Sequence, residues 1–195
     1  MSIQLINLTE NTMRAALLTL LLAVAVVPVF AGEKTEAGQI ASGKVLIVGI
    51  TVPAPRAEVW KAFATSEGLS TWLTPNAVVD LRPGGEWTAH YPGGKTGGGT
   101  IVSFVPEKEM VLSAMAPERF PTVRTTRTHV VFRFEERGNY TLVTLEQTGW
   151  QDSAEWDQAY EYLTAGNAQL FANLHRRFVN GPFDWEKEWG AAAKK

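Results

Sequence analysis

The segment from Ala77 to Thr148 constrains the fold more than any other part of this 195-residue chain. Short β-branched and aromatic runs alternate there with turn residues, at the intervals of an antiparallel meander. Several of the turns contain glycine or proline, which favour sharp reversals of the backbone. The pattern predicts six strands, at 77–81, 86–91, 99–105, 110–115, 127–136 and 140–148.

Shorter elements precede the meander. A β-branched run from Val45 to Val52 predicts a first strand, which raises the total to about seven. Apolar residues at helical spacing follow Pro55, a residue that the first turn of a helix accepts. A second short helix is predicted at Leu69–Leu73, because Pro75 prevents its continuation. Two short helices therefore lie between the first and second strands.

After Gly149 the apolar period changes from that of a strand to that of a helix. One stripe at spacings of three and four consists of Trp156, Tyr160, Leu163, Asn167, Leu170, Leu174 and Phe178. The run ends at Gly181 and Pro182, which stop helices. Such a stripe can be buried only against the sheet. The chain is predicted to be an α+β helix-grip, with a curved antiparallel sheet of about seven strands wrapped around a long C-terminal helix.

The N-terminal segment has the pattern of a secretory signal. Arg14 precedes an apolar run that ends at Val29-Phe30-Ala31, which supplies the small residues of a cleavage site. Because Pro28 interrupts this run, we expect a cleaved signal peptide and no stable membrane span afterwards. The mature protein is then expected to be secreted or periplasmic.

Composition divides the remaining chain into three parts. The polar residues 32–43 predict a flexible linker, and the helix-grip domain is expected to occupy 44–182. In the tail, 183–195, two tryptophans lie four residues apart. A short helix begun at Asp184 would press both indoles onto the domain.

Several classes of function are excluded or find no support. The 18 basic and 20 acidic residues nearly balance, so no electrostatic footprint for nucleic acid is present. The absence of cysteine excludes disulfides, thiol chemistry and cysteine-bound zinc. None of the three histidines has a second histidine or a carboxylate at metal-ligand spacing, and no nucleophile elbow occurs. We therefore predict no metal, no cofactor and no catalytic residue.

Several local strings resemble a known family between about Val45 and Pro182. These are I-T-V-P-A-P-R-A-E-V-W-K-A-F from Ile50 to Phe63, G-L-S-T-W-L ending at Leu73, D-L-R-P-G-G-E-W from Asp80 to Trp87, and E-W-D-Q-A-Y from Glu155 to Tyr160. They resemble the START-like superfamily, and in particular the branch of homologues of the heat-shock-protein-90 ATPase activator. The resemblance implies a helix-grip fold that supplies a cavity, and a function that depends on the lining of that cavity.

Two amides are predicted to face the interior. Asn167 lies in the middle of the apolar stripe on the last helix, where a leucine would pack better. Gln147 shares a strand face with Val143 and Leu145. A buried amide needs partners, which could be a neighbouring backbone group, a trapped water or a ligand.

We predict a pocket between the inner sheet face and the last helix. Its ligand-binding residues are expected to be Trp72, Trp87, Met115, Gln147 and Asn167, which give apolar walls with two amides to orient a polar atom. The leading hypothesis is an exported protein that binds a small apolar or aromatic ligand there.

Two alternatives stay open at this stage. A cyclase or dehydratase type of enzyme could use the same cavity, and would require Gln147, Asn167 and His129 to face it together. An interaction module without a ligand could act through Trp185 and Trp189 of the tail, or through the open face of the sheet. The identity of the ligand and of any protein partner, the oligomeric state and the pathway are not determined by the sequence.

Overall fold

The structure is a computed structural model that describes residues 43–190. The predicted signal peptide and almost all of the predicted linker lie outside these residues, so both stay predictions. Within the described part of the chain, no helix is long and apolar enough to cross a membrane.

Seven antiparallel strands form one sheet in the order β1-β7-β6-β5-β4-β3-β2. Their bounds follow the predicted alternation closely: β1 Leu46–Val52, β2 Asn76–Val79, β3 Glu86–His90, β4 Thr96–Val105, β5 Glu109–Met115, β6 Thr128–Arg137 and β7 Tyr140–Thr148. The predicted sheet of about seven strands is confirmed, and β1 and β2 are its two edges.

Strand β4 differs from the prediction at its start. It begins at Thr96 and includes Gly97 to Gly99, which the sequence suggested were part of a connection. A Cβ atom on Gly99 would lie 2.2 Å from the carbonyl oxygen of Ser113, and one on Gly98 would lie 2.1 Å from that of Trp87. The glycines therefore permit close pairing with both neighbouring strands rather than a loop.

Five α-helices lie among the described residues: α1 Arg56–Ala64, α2 Ser66–Ser70, α3 Pro121–Thr126, α4 Ala154–Asn180 and α5 Trp185–Trp189. The Thr65 hydroxyl caps α2 and the Ser153 hydroxyl caps α4 by accepting backbone N–H groups. The predicted α1, α2 and long α4 are confirmed, although α2 ends at Ser70 rather than at Leu73. Helix α3 was not predicted, because its sequence is rich in threonine.

Aromatic rings fill the inner sheet face under α1. The Phe63 ring is the centre of this aromatic core, and its centroid lies between 5.0 and 6.4 Å from those of Trp72, Trp87, Phe132 and Phe134. All five side chains are almost completely buried. The two indole N–H groups donate to α1 carbonyl oxygens, at 2.9 Å each, so their burial leaves no unpaired donor.

Helix α4 packs against the edge strand β1 and against α3. The Tyr160 hydroxyl donates to the carbonyl oxygen of Val45 at 3.2 Å, and Nδ1 of His175 lies 2.9 Å from that of Thr51. These contacts are at opposite ends of β1, so they align the helix along the edge of the sheet.

The tail helix α5 packs onto the domain as predicted. The Asp184 carboxylate caps it by accepting the Lys187 N–H, and Nε1 of Trp185 donates to the Ser70 carbonyl oxygen at 2.7 Å. The Trp189 ring lies 6.2 Å from the ring of Tyr91, at the end of the β3–β4 hairpin. The tail helix thus contacts both α2 and the β3–β4 hairpin.

Candidate functional site

The inward stripe of α4 is packed unevenly along its length. Trp156 near the start and Leu174 near the end are no more than 1% exposed. Between them, the side chains of Leu163, Asn167 and Leu170 are only half-buried. Solvent therefore reaches the centre of a stripe that the sequence predicted to be buried throughout.

A row of small residues crosses the inner sheet face next to this part of α4. Strand pairing aligns Trp87 with Gly99, Gly99 with Ala114, and Ala114 with Thr128. We call three of these residues the small-residue row: Gly99, Ala114 and Thr128. They project little side-chain volume toward the helix. The large aromatic side chain of Trp87 ends the row on the side of the aromatic core.

Three neutral side chains form a hydrogen-bonded chain from the small-residue row to α4. Nε2 of Gln147 donates to the Thr128 hydroxyl at 2.8 Å, and Nδ2 of Asn167 donates to Oε1 of Gln147 at 3.0 Å. Gln147 is 3% exposed, so these partners satisfy an amide that would otherwise be costly to bury. The two amides predicted to face the interior are brought together, and Asn167 is the end of the chain that solvent reaches.

The other three predicted site residues are placed differently. Trp72 lies inside the aromatic core, two rings away from the small-residue row. Strand alternation places Met115 on the opposite sheet face from Leu112 and Ala114, so the expectation that it reaches the inner face is wrong. Trp87 borders the row but is itself buried. Ligand contact at Trp72, Trp87, Gln147 and Asn167 stays a prediction.

Aromatic side chains surround the open side of this region. The Phe120 ring, next to α3, lies 5.6 Å from the ring of Tyr162 on α4. Burial raises the pKa of the Tyr91 phenol, and the nearby Tyr162 phenol raises this pKa further. We call the surface that carries Phe120, Tyr162 of α4 and Tyr91 of the hairpin the groove mouth. Sequence reasoning missed both tyrosines, because neither lies on a predicted inward stripe.

His129 does not join the two amides. It is exposed, whereas Val130 and Phe132 on the same strand are buried, so His129 projects from the outer sheet face. The arrangement required for proton transfer among His129, Gln147 and Asn167 is therefore not present. Among residues 43–190, no three histidine or acidic side chains are placed to hold a metal ion.

Two prominent surface cavities lie away from the amides. The larger, of about 540 Å³, lies beside Arg56, Lys108 and Arg133, and its walls carry charges of both signs. The smaller, of about 360 Å³, lies between α1, α2 and the end of α4. Neither cavity includes Gln147 or Asn167.

Comparison with known proteins relates this architecture to one family. A family model described as "Activator of Hsp90 ATPase homolog 1-like protein" matches residues 53–178, which include α1 and most of α4. The match ends before α5, so the tail helix is an addition to the part that the family shares. No curated protein matches the chain significantly in sequence.

Three solved structures illustrate the likeness. The Aha1 dimer from Colwellia psychrerythraea is 17% identical over 71% of this chain and 98% of its own, with a TM-score of 0.58. Protein MLL2253 from Mesorhizobium loti is 17% identical over 72% of this chain and 100% of its own, with a TM-score of 0.60. CalU16 from Micromonospora echinospora is 22% identical over 77% of this chain and 89% of its own, with a TM-score of 0.53. At these identities the likeness concerns the fold.

Proposed function

The chain belongs to the family of Activator of Hsp90 ATPase homolog 1-like proteins, within the START-like superfamily, and on this premise we propose that it binds a small apolar or aromatic ligand. The ligand lies between the small-residue row and the centre of α4. The groove mouth, beside Tyr91 and Tyr162, is its entrance.

One observation carries this proposal: the centre of the inward stripe of α4 is only partly buried, above side chains of minimal volume. A helix that only completed a core would be expected to bury Leu163 and Leu170 as fully as it buries Leu174. A ligand that covered this apolar surface would gain about 25 cal/mol for each Å² removed from water. The neighbouring Asn167 could orient a polar atom of that ligand.

Export is part of the proposal. The apolar run after Arg14 and the small residue Ala31 support a cleaved signal and, with it, a secreted or periplasmic location. N-terminal sequencing of the mature protein should begin at or near Gly32. Recovery of the intact leader on a cytosolic protein would contradict this part alone.

The binding proposal is tested with the neutral fluorescent probe N-phenylnaphthylamine. Ala114→Leu fills the small-residue row and should weaken probe binding at least tenfold, because the added side chain occupies the ligand volume. Ser113→Leu is the matched control, since Ser113 is adjacent on β5 but faces the opposite side of the sheet. It should bind the probe like the parent.

Circular dichroism and thermal melting establish that both variants are folded before binding is compared. Loss of binding in Ala114→Leu alone supports the site under α4. Equal binding by the parent and both folded variants, or no binding by the parent, would refute it.

A further inference from the structure

The arginines around α3 have no carboxylate partner, a property that they share with Arg177 among the described arginines, whose Nε donates to the Thr71 hydroxyl. Five arginines have carboxylate partners within 4.0 Å: Arg56, Arg82, Arg133, Arg137 and Arg176. By contrast, Arg119, Arg124 and Arg127 form no salt bridge with any carboxylate of residues 43–190. These three, which we call the α3 arginines, lie in or beside one six-residue helix.

Arg124 is held by neutral oxygen atoms. Its Nη1 donates to the Ala116 carbonyl oxygen at 2.6 Å, and its Nη2 donates to the Thr96 hydroxyl at 3.1 Å. These bonds fix the half-buried guanidinium between the start of β4 and the end of β5. Ala116 is two residues beyond Ala114, so the positive charge lies beside the small-residue row.

The other two α3 arginines lie on either side of Arg124 along the chain. The Arg119 guanidinium lies 5.0 Å from the Phe120 ring centroid and 5.1 Å from that of Tyr162, so it is at the groove mouth. Arg127 directly precedes Thr128, whose hydroxyl is the first member of the hydrogen-bonded chain that leads to Asn167. The opening therefore carries the guanidinium groups of Arg119 and Arg124 beside aromatic rings.

Two acidic residues lie near these arginines but form no salt bridge with them. Glu155 at the start of α4 accepts hydrogen bonds from the backbone N–H groups of Thr122 and Val123 and from the Thr122 hydroxyl. Its carboxylate is therefore directed to the backbone of α3. Glu118 is exposed and forms no salt bridge with the α3 arginines.

We propose that the groove mouth binds the carboxylate head group of an amphiphilic ligand through Arg124, with Arg119 adding positive charge. This inference rests on the proposed function, whose groove would hold the apolar part of the same ligand. The head group belongs at the mouth, because the amides of Gln147 and Asn167 are neutral and could not compensate a buried charge.

Guanidinium chemistry favours this class of head group. A planar guanidinium presents several N–H donors in a fixed arrangement that matches a carboxylate. A carboxylate adds the attraction of a full negative charge to these hydrogen bonds, which the neutral oxygens cannot supply. A carboxylate could therefore compete with the neutral oxygens of Ala116 and Thr96 for Arg124.

Decanoate and decanamide provide a matched pair of ligands, since they share a chain length and differ in the charge of the head group. Each is used to displace N-phenylnaphthylamine from the purified chain at neutral pH. Decanoate should compete about tenfold more strongly than decanamide, the factor expected for one partly exposed charge-assisted pair. Added salt should reduce this preference, because the mouth is open to solvent.

Arg124→Gln should abolish the preference for decanoate. The displacement of N-phenylnaphthylamine by decanamide should stay unchanged in this variant. Arg137→Gln is the control, since it removes an equal charge from a salt-bridged arginine on the β6–β7 hairpin. It should keep the preference. Arg119→Gln, which breaks no hydrogen bond of the described chain, should reduce the preference part of the way.

The outcomes separate this inference from the proposed function. If the parent binds the probe but decanoate and decanamide displace it equally, the head-group site is refuted while the groove stands. The same conclusion follows if Arg124→Gln folds and keeps the full preference. If the parent does not bind the probe at all, both proposals fail.

Discussion

Two halves of the same inner sheet face are built in opposite ways. Around Phe63, aromatic rings from helices and strands fill the space, and both indole N–H groups of Trp72 and Trp87 have backbone partners. Around Asn167, the sheet contributes small and polar side chains, and the helix above is half-exposed. The aromatic core thus supplies stability, and the region around Asn167 has small and polar side chains that packing alone does not require.

The comparison also explains why the two halves should respond differently to mutation. A side chain in close-packed surroundings loses many contacts when it is truncated, and the cavity left behind adds to the cost. A half-exposed side chain loses less, because solvent already covers part of its surface. Stability measurements on matched pairs can therefore test where one half ends and the other begins.

The largest effect is expected from truncation in the aromatic core. Phe63→Ala should lower the free energy of unfolding by about 3–5 kcal/mol, since Phe63 is completely buried and contacts four other rings. Leu163→Ala, in the half-exposed centre of α4, should cost less than half as much. Urea denaturation of both variants gives the comparison, and similar losses would mean that the two halves are packed alike.

A smaller loss of stability is expected from substitutions of the two hydrogen-bonded amides, Gln147 and Asn167. Gln147→Leu should cost about 1–3 kcal/mol, because it leaves the 2%-exposed Thr128 hydroxyl without its partner. Asn167→Leu should cost less, since water can reach the half-buried site and replace Nδ2 on Gln147. Thermal melting of both variants shows which substitution lowers stability more. A larger loss of stability for Asn167→Leu would mark this amide as a structural residue.

The backbone of Arg127 offers a stabilising substitution beside the groove. Its φ of 71° and ψ of 157° fall in a region that is essentially restricted to glycine. Arg127→Gly should therefore raise the free energy of unfolding by about 1 kcal/mol. Thr126→Gly, one residue earlier and helical, should lower it slightly. A destabilised Arg127→Gly would show that the arginine side chain contributes more than the strain costs.

The smallest effect is expected from the carboxylate that anchors α3. The Thr122 hydroxyl, followed by the backbone N–H groups of Val123 and Thr122, lowers the pKa of Glu155 below its ordinary value. A lowered pKa in the folded state stabilises the protein above about pH 4.3, and this contribution is lost as the pH falls through the folded-state value.

Glu155→Gln provides the test of this pH dependence. The variant should melt slightly below the parent at pH 7, and the difference should shrink as the pH is lowered toward 3. A difference that is constant with pH would show that the charge of Glu155 does not hold α3.

Much of the fold was predictable from the sequence because local signals agreed with the tertiary arrangement. The alternation of β-branched residues gave all seven strands, and the stripe beginning at Trp156 gave α4. The start of β4 was missed because Gly97 to Gly99 have no side-chain pattern, and their role depends on how closely β3 and β5 approach. Helix α3 was missed because tertiary contacts, such as the one with Glu155, stabilise a segment of low helix propensity.

The candidate site was predictable only in part. Periodicity placed Gln147 and Asn167 on inward faces, but their hydrogen bond depends on the position of α4 along β7, which no local pattern encodes. Met115 was assigned to the wrong face because the buried residues Met110 and Leu112 fix the alternation of β5, and this alternation places Met115 on the other side. The α3 arginines carry no sequence signal at all, since they are distinguished only by the partners that they lack.

The distinction between the two halves is tested most directly by ¹H–¹⁵N NMR spectra of the chain with and without N-phenylnaphthylamine. The side-chain amide resonances of Asn167 and Gln147 should shift on addition of the probe, together with the backbone resonances of Ala114 and Gly99. The indole N–H resonance of Trp72, inside the aromatic core, should stay in place. Shifts at Trp72 without shifts at Asn167 and Gln147 would contradict a ligand site beneath the centre of α4.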